Sequence, residues 1–239
     1  MVFRDFCLNS RGNELRLQNP TKGNPLHTTY IVHLFRHMKT HSKAADGRDE
    51  DRQPNELGAS QMEQLAGVLS EEGTKFDLVL YSPVARARLL AERIADGAEL
   101  VPMAELYDPN PEGTDKNEVL EATLLLKGTD VFGYDLAGWF GSELVVMAMS
   151  RRAEKVKDEI TRRASTLCAE KKRIVHIGVV GHYAYLNMLA ERLAPSQVGL
   201  SFRQTALKEC DRFVIPFFEV DNASDKQHIP LGQKFELPN

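Results

Sequence analysis

Three short stretches of this chain carry side chains able to work on an anion. Arg36–His37 closes the run Thr29–Thr40, TYIVHLFRHMKT. Ser82–Pro83 follows FDLVLY, with Arg86 shortly after it, and Gly181–His182 follows IVHIGVV. In each case an apolar, β-rich run ends abruptly in polar groups. An imidazole there can be a nucleophile, a base or a metal ligand. A guanidinium stays charged at any working pH, and its fork matches the oxygens of a phosphate. An acidic loop, Pro102–Gly113, holds Glu105, Asp108 and Glu112. Two histidines, two arginines and a nearby acid are the side chains that phosphoryl transfer through a phosphohistidine requires.

Such groups act together only if the strand tips lie on one edge of a sheet. In open α/β sheets the carboxyl ends of the strands share an edge, and ligands bind in the crevice there. Tyr30–Phe35, Phe76–Tyr81 and Ile174–Val180 read as buried strands, with Glu99–Val101 a shorter one. Met62, Leu65, Ala66 and Leu69 recur at helical spacing after Asn55–Ser60, and Gly73 closes that helix. Val84–Ala95 reads as a second helix, with Ser82 as its N-cap and Pro83 in the first turn. Further helical segments are expected over Lys116–Leu126, Gly141–Cys168 and Tyr185–Leu193, the last stopped by Pro195. Phe213–Val220 and Gln233–Leu237 close the chain as a pair of strands around a polar loop. The charged stretch His41–Pro54 reads as a loop turning at Asp46–Gly47. This alternation predicts a three-layer α/β domain with a mostly parallel sheet.

At 239 residues the chain fits one such domain, residues 29–239, preceded by an N-terminal extension, residues 1–28. The formal net charge of −4 gives no reason to expect nucleic acid or a membrane surface as partner, so any bound anion needs a local basic site. Cys7, Cys168 and Cys210 are odd in number and widely spaced, which speaks against a disulfide framework and for a reducing, cytoplasmic setting. No apolar run approaches a transmembrane length, and the first residues lack the apolar core of a signal peptide.

These stretches, in this order, resemble the histidine phosphatase superfamily, the phosphoglycerate-mutase-like proteins. FRHMKT stands where the family has its Arg–His–Gly motif, and NELGASQMEQLAGVL resembles the helix entry that follows. LVLYSPVARARLLAERI is similar to the Ser-Pro-x-x-Arg-Ala segment, VPMAELYDPNPEG to the loop that supplies the acid, and IVHIGVVGHYAYLNML to the second-histidine strand. CDRFVIPFFEVD matches the late strand, and DEDRQPNELG is similar to a loop of bacterial phosphohistidine phosphatases.

The resemblance implies a three-layer α/β/α fold with a mixed, mostly parallel six-stranded sheet and one antiparallel strand. It also implies roles. His37 attacks phosphorus as a neutral imidazole, Arg36 and Arg86 grip the phosphate oxygens, and His182, protonated, adds a donor. Glu105 protonates the leaving oxygen and then activates water, with Asp108 and Glu112 as neighbouring candidates. Thr40 offers a hydroxyl to a phosphate oxygen. Neither metal nor cofactor is called for, and the expected partner is a phosphorylated small molecule or phosphoprotein substrate.

Two positions depart from the family pattern. Met38 and Tyr183 stand where glycine usually follows each histidine. Met38 points either into the core or into the pocket. In the second case the chain fits an inactive member kept as a binding protein. A mutase-type phosphotransferase is the other family alternative, though its insertion pattern is not found. From a different class, His33, His37 and His41 recur every four residues, as helix-borne metal ligands would. Read singly, Arg86 is a helix-surface arginine like Arg88 and Arg93, and His182 a strand-end histidine bonded to backbone.

Overall fold

The computed structural model describes residues 27–107, 136–171, 173–194, 201–221, 226–230 and 233–237. Its frame is one sheet of seven strands: β1 (His27–Arg36), β2 (Leu78–Tyr81), β3 (Glu99–Pro102), β4 (Val175–Gly181), β5 (Arg212–Asp221), β6 (Lys226–Pro230) and β7 (Gln233–Phe235). Their order is β3-β2-β4-β1-β5-β6, with β7 also paired to β5. The first four strands are mutually parallel, and β5 runs antiparallel to β1, β6 and β7. The six-stranded mixed sheet with a single reversed strand therefore holds, and β7 is a short addition. β6 falls inside the expected polar loop. KQHIP lacks an apolar alternation, but an edge strand needs only backbone groups to pair with β5.

Helices α1 (Glu56–Glu71) and α2 (Ala85–Ala95) cover one face; α4 (Glu143–Lys171) and α5 (Tyr183–Leu193) cover the other. Successive strand residues point to opposite faces. Tyr30, Val32 and Leu34 of β1 therefore join Val156, Ile160, Leu186 and Leu189 in one core. Phe35 joins Leu65, Leu69, Leu90 and Ile94 in the other. Each fully buried aliphatic side chain contributes roughly 1.5–3 kcal/mol, and both cores are continuous across the strands that carry the site.

The long helix expected over Gly141–Cys168 is present as α4, which starts two residues later. A short helix, α3 (Leu136–Gly141), ends before Ser142, whose hydroxyl accepts from the Val145 N–H at 3.4 Å and caps α4. Asn55 caps α1 by accepting from the Gly58 N–H at 2.8 Å. A Cβ on Gly58 would lie 1.8 Å from the Lys39 carbonyl oxygen, so only glycine lets this helix press on the backbone just after His37. No helix among the described residues is long and apolar enough to cross a membrane. The expected extension 1–28, except for its last two residues, lies outside the described residues. So do the helix over Lys116–Leu126, Pro195, and the acids Asp108 and Glu112.

Candidate active site

Sheet register brings the three tips together. Phe35 faces Val180, Val180 faces Tyr81, and Tyr81 faces Pro102 across one row. Backbone bonds carry the lacing past the strand ends: Ser82 N–H to Val180 O at 3.0 Å, His37 N–H to Gly181 O at 3.1 Å, and Met103 N–H to Tyr81 O at 2.8 Å. His37, His182 and the 3-10 turn Ala104–Leu106, which holds Glu105, therefore leave the sheet along the same edge.

The His37 and His182 rings lie edge to face, 5.1 Å between centroids. His37 Nδ1 sits 2.7 Å from the Met38 carbonyl oxygen. A carbonyl only accepts, so Nδ1 carries the proton and Nε2 keeps its lone pair. The ring stays neutral, with its pKa lowered to about 3. Desolvation of the recessed ring is the main cause, followed by the charge of Arg86 and then of Arg36 and Arg52, against the opposing bond to Met38. What the strand tip presents is an unprotonated nitrogen beside fixed cations.

Arg36 is held from the segment after α5. Its Nη1 donates to Leu207 O at 2.8 Å and its Nη2 to Glu209 Oε1 at 3.1 Å, while the guanidinium lies 4.8 Å from the Tyr183 ring centroid. Buried Asn187 of α5 fixes that segment by donating to Phe202 O at 2.5 Å and Thr205 O at 2.8 Å. Arg86 is 4% exposed, which removes the helix-surface reading. It reaches back to the His41–Pro54 loop, donating from Nη1 to Asp49 O at 2.6 Å and from Nη2 to Asp49 Oδ2 at 2.8 Å. Asp49 Oδ1 lies 2.8 Å from Arg52 Nε, so one carboxylate bridges two guanidiniums as a tetrahedral oxyanion could. The Tyr107 hydroxyl donates to Glu50 Oε1 at 3.0 Å and its ring lies 5.5 Å from that of His182.

Two expectations change, and the alternatives left open for Met38 narrow to the core. Ser82 is not the cap of α2: Val84 holds the N-cap position without a side-chain bond, and the Ser82 hydroxyl is 3.0 Å from His182 Nε2. The serine is fully buried at the tip of β2, where the histidine reaches it before the helix does. His182 is neutral rather than protonated, because desolvation comes first and the charges of its surroundings add to it, with Arg86, Arg152 and Arg36 among them. Met38 is fully buried among Phe35, Leu65, Phe76 and Leu90, so it packs under the site and does not narrow it. Its backbone is absent from the positive-φ residues, so glycine is not required there.

Thr40 forms an isolated bridge with Pro54 that braces the loop base. The histidine triplet is not gathered: His33 Nε2 pairs with His176 Nδ1 at 3.1 Å, and the exposed His41 uses its N–H on Gln53 O. Arg52 and Asp49 were not singled out from the sequence. The pointer to them was the similarity of DEDRQPNELG to a phosphohistidine phosphatase loop. Together the described groups can hold a tetrahedral oxyanion against an imidazole nitrogen.

Comparison with known proteins bears on the family and the fold. A family model described as "Histidine phosphatase superfamily (branch 1)" matches residues 32–218. No curated protein sequence gives a significant match. Among solved structures, mycobacterial glucosyl-3-phosphoglycerate phosphatase is 16% identical, with 85% of this chain and 96% of that chain covered at a TM-score of 0.55. The alpha-ribazole phosphatase of Shigella flexneri is 19% identical, with 77% and 89% covered at a TM-score of 0.50. At such identities the likeness is one of fold. The chain belongs to the histidine phosphatase superfamily, branch 1.

Proposed function

We propose that this member of the superfamily is a phosphatase, hydrolysing phosphomonoesters or phosphohistidine through a covalent phosphohistidine on His37. The observation that carries the reading is the state of that ring: Nδ1–H is anchored on Met38 O, and desolvation with Arg86, Arg36 and Arg52 keeps the ring neutral. Nε2 attacks phosphorus in line while the guanidiniums of Arg36, Arg86 and Arg52 take the equatorial oxygens, and Thr40 adds its hydroxyl. A bound dianion favours the protonated form of His182, which then donates to the charge that builds in the transition state. Glu105, on the turn after β3, gives its proton to the leaving oxygen and then takes one from the attacking water. The fixed cations perform the clamping for which other phosphoryl-transfer sites use magnesium. Cysteine usage favours a cytoplasmic location.

The test is turnover of an aryl phosphate in EDTA, with acid-quenched protein assayed for bound phosphate. Hydrolysis with a phosphoenzyme that His37→Ala abolishes is expected. Hydrolysis that depends on added metal, or turnover with no trapped phosphoenzyme, would overturn the reading. A panel of phosphohistidine peptide, sugar phosphates and phosphotyrosine then assigns the substrate class.

A further inference from the structure

The turn that carries Glu105 has little of its own to hold it. Ala104–Leu106 is a single 3-10 turn, and Met103 at its N-cap makes no side-chain hydrogen bond. Leu106 anchors one end by filling the core with no exposure. Across the turn, helix α4 sends in Arg152, itself 7% exposed. Arg152 donates from Nε at 3.0 Å and from Nη2 at 2.6 Å to the same atom, the carbonyl oxygen of Glu105. Its guanidinium also lies 4.9 Å from the centroid of the Tyr185 ring on α5.

This is an unusual place for a cation. A buried guanidinium is costly to desolvate, and a surface loop could be tethered by any neutral donor. Two charge-assisted bonds from a rigid fork converge on one carbonyl oxygen and fix its position, and with it the stretch of backbone from which the Glu105 side chain projects. The tethered residue is the acid of the proposed reaction. Electrostatics place the same groups in one neighbourhood. Arg152 acts on His182, and Glu105 acts on the deeply buried Tyr185, whose hydroxyl has no hydrogen-bond partner among the described residues.

We propose that Arg152 is the positioning residue for the general acid, holding Glu105 in register with the phosphate on His37. The proposal rests on the reading of Glu105 given above. In the first step the His37 Nε2–P bond forms, the P–O bond to the alcohol breaks, and the Glu105 carboxyl proton goes to the leaving oxygen. In the second, water oxygen bonds to phosphorus, Nε2–P breaks, and the water proton returns to Glu105. Both steps need the carboxyl within hydrogen-bond reach, and a misplacement near 1 Å costs on the order of 10²-fold.

The test compares wild type with Arg152→Met, Arg152→Lys and Glu105→Gln on two substrates. An aryl phosphate leaves without a proton, whereas an alkyl phosphate needs one. With Arg152→Met, alkyl phosphate turnover is expected to fall about 10²-fold. Phosphoenzyme formation from the aryl phosphate, followed in a single turnover, should change less than about threefold. Because water activation also suffers, the aryl burst should be followed by a slower steady state than in wild type. Arg152→Lys, which keeps charge but loses the fork, should fall between the two. Equal losses in aryl phosphorylation and alkyl turnover would mean that Arg152 merely supports the fold and would overturn the proposal. So would a Glu105→Gln variant that retains alkyl turnover while Arg152→Met loses it. A wild-type protein that forms no phosphoenzyme refutes the phosphatase reading itself, an outcome distinct from both.

Discussion

His33 in β1 and His176 in β4 are each followed, just past the strand tip, by a second histidine, His37 and His182, and the two resulting pairs have opposite characters. His33 and His176 sit within the sheet; His37 and His182 sit at its edge. All four have lowered pKa values, with desolvation as the first cause. His33 and His176 bond each other at 3.1 Å, and the Phe76 ring meets His33 edge-on at 5.2 Å. The nearby Arg212 charge is taken up by Glu72, at 2.5 and 2.6 Å. In the edge pair, each ring is anchored to its own neighbour: His37 to the Met38 carbonyl, His182 to Ser82. Burial and a depressed pKa therefore do not mark the site. What marks it is the company of guanidiniums: Arg36 and Arg86 bear on both His37 and His182, with Arg52 added at the first and Arg152 at the second.

The pairs should separate most widely in activity. His37→Ala should lower turnover at least about 10³-fold, the scale on which loss of a nucleophile is felt, while His33→Gln should stay within about threefold. Comparable losses in both, measured as kcat on one substrate, would erase the distinction. In stability the order should invert. His33→Ala leaves a cavity beside Phe35 and Phe76 and an unpaired His176 nitrogen, so it should cost about 2–4 kcal/mol. His37→Ala removes a neutral, half-buried ring at the sheet edge, outside both apolar cores, and should cost under about 1 kcal/mol. Denaturant midpoints at constant slope read both directly.

The same contrast explains what could be read without coordinates. Arg36, His37, Arg86 and His182 were legible because each sits at a fixed offset from an apolar run, and such runs determine strand tips. The late apolar stretch located β5, whereas one strand's reversal was implied only by the family resemblance, since an apolar run does not set strand direction. Arg52 and Asp49 were hidden because nearly every residue of GRDEDR is charged, and spacing cannot say which charge turns inward. Ser82 before Pro83 has the pattern of a helix cap, and only the tertiary approach of His182 redirects its hydroxyl. Met38 was ambiguous because it lies just past the strand, where alternation no longer predicts the face. β6 could not be found by pattern, since KQHIP lacks the apolar alternation that signals a strand.

Acidity gives the smallest and most discriminating effect. His33 is 3% exposed and its pKa lies well below the ordinary 6.5, so the unfolded chain binds a proton that the folded chain refuses. Its contribution to stability is complete above about pH 6.5 and is lost as pH falls toward the folded value, at up to about 1.4 kcal/mol per pH unit for one proton. His176 adds to this in the same direction, although Asp77, held by Arg173 at 2.5 Å, partly offsets the shift. Between pH 7 and pH 5, urea unfolding of wild type should therefore weaken, and His33→Gln should weaken by about 1–2 kcal/mol less. Saturating inorganic phosphate distinguishes the other pair: a bound dianion favours imidazolium at the edge, so phosphate should reduce the acid sensitivity that His37 and His182 contribute and leave the His33 difference intact. If phosphate instead abolished the gap between wild type and His33→Gln, the core pair would be coupled to the site, and the two pairs would be one titrating unit.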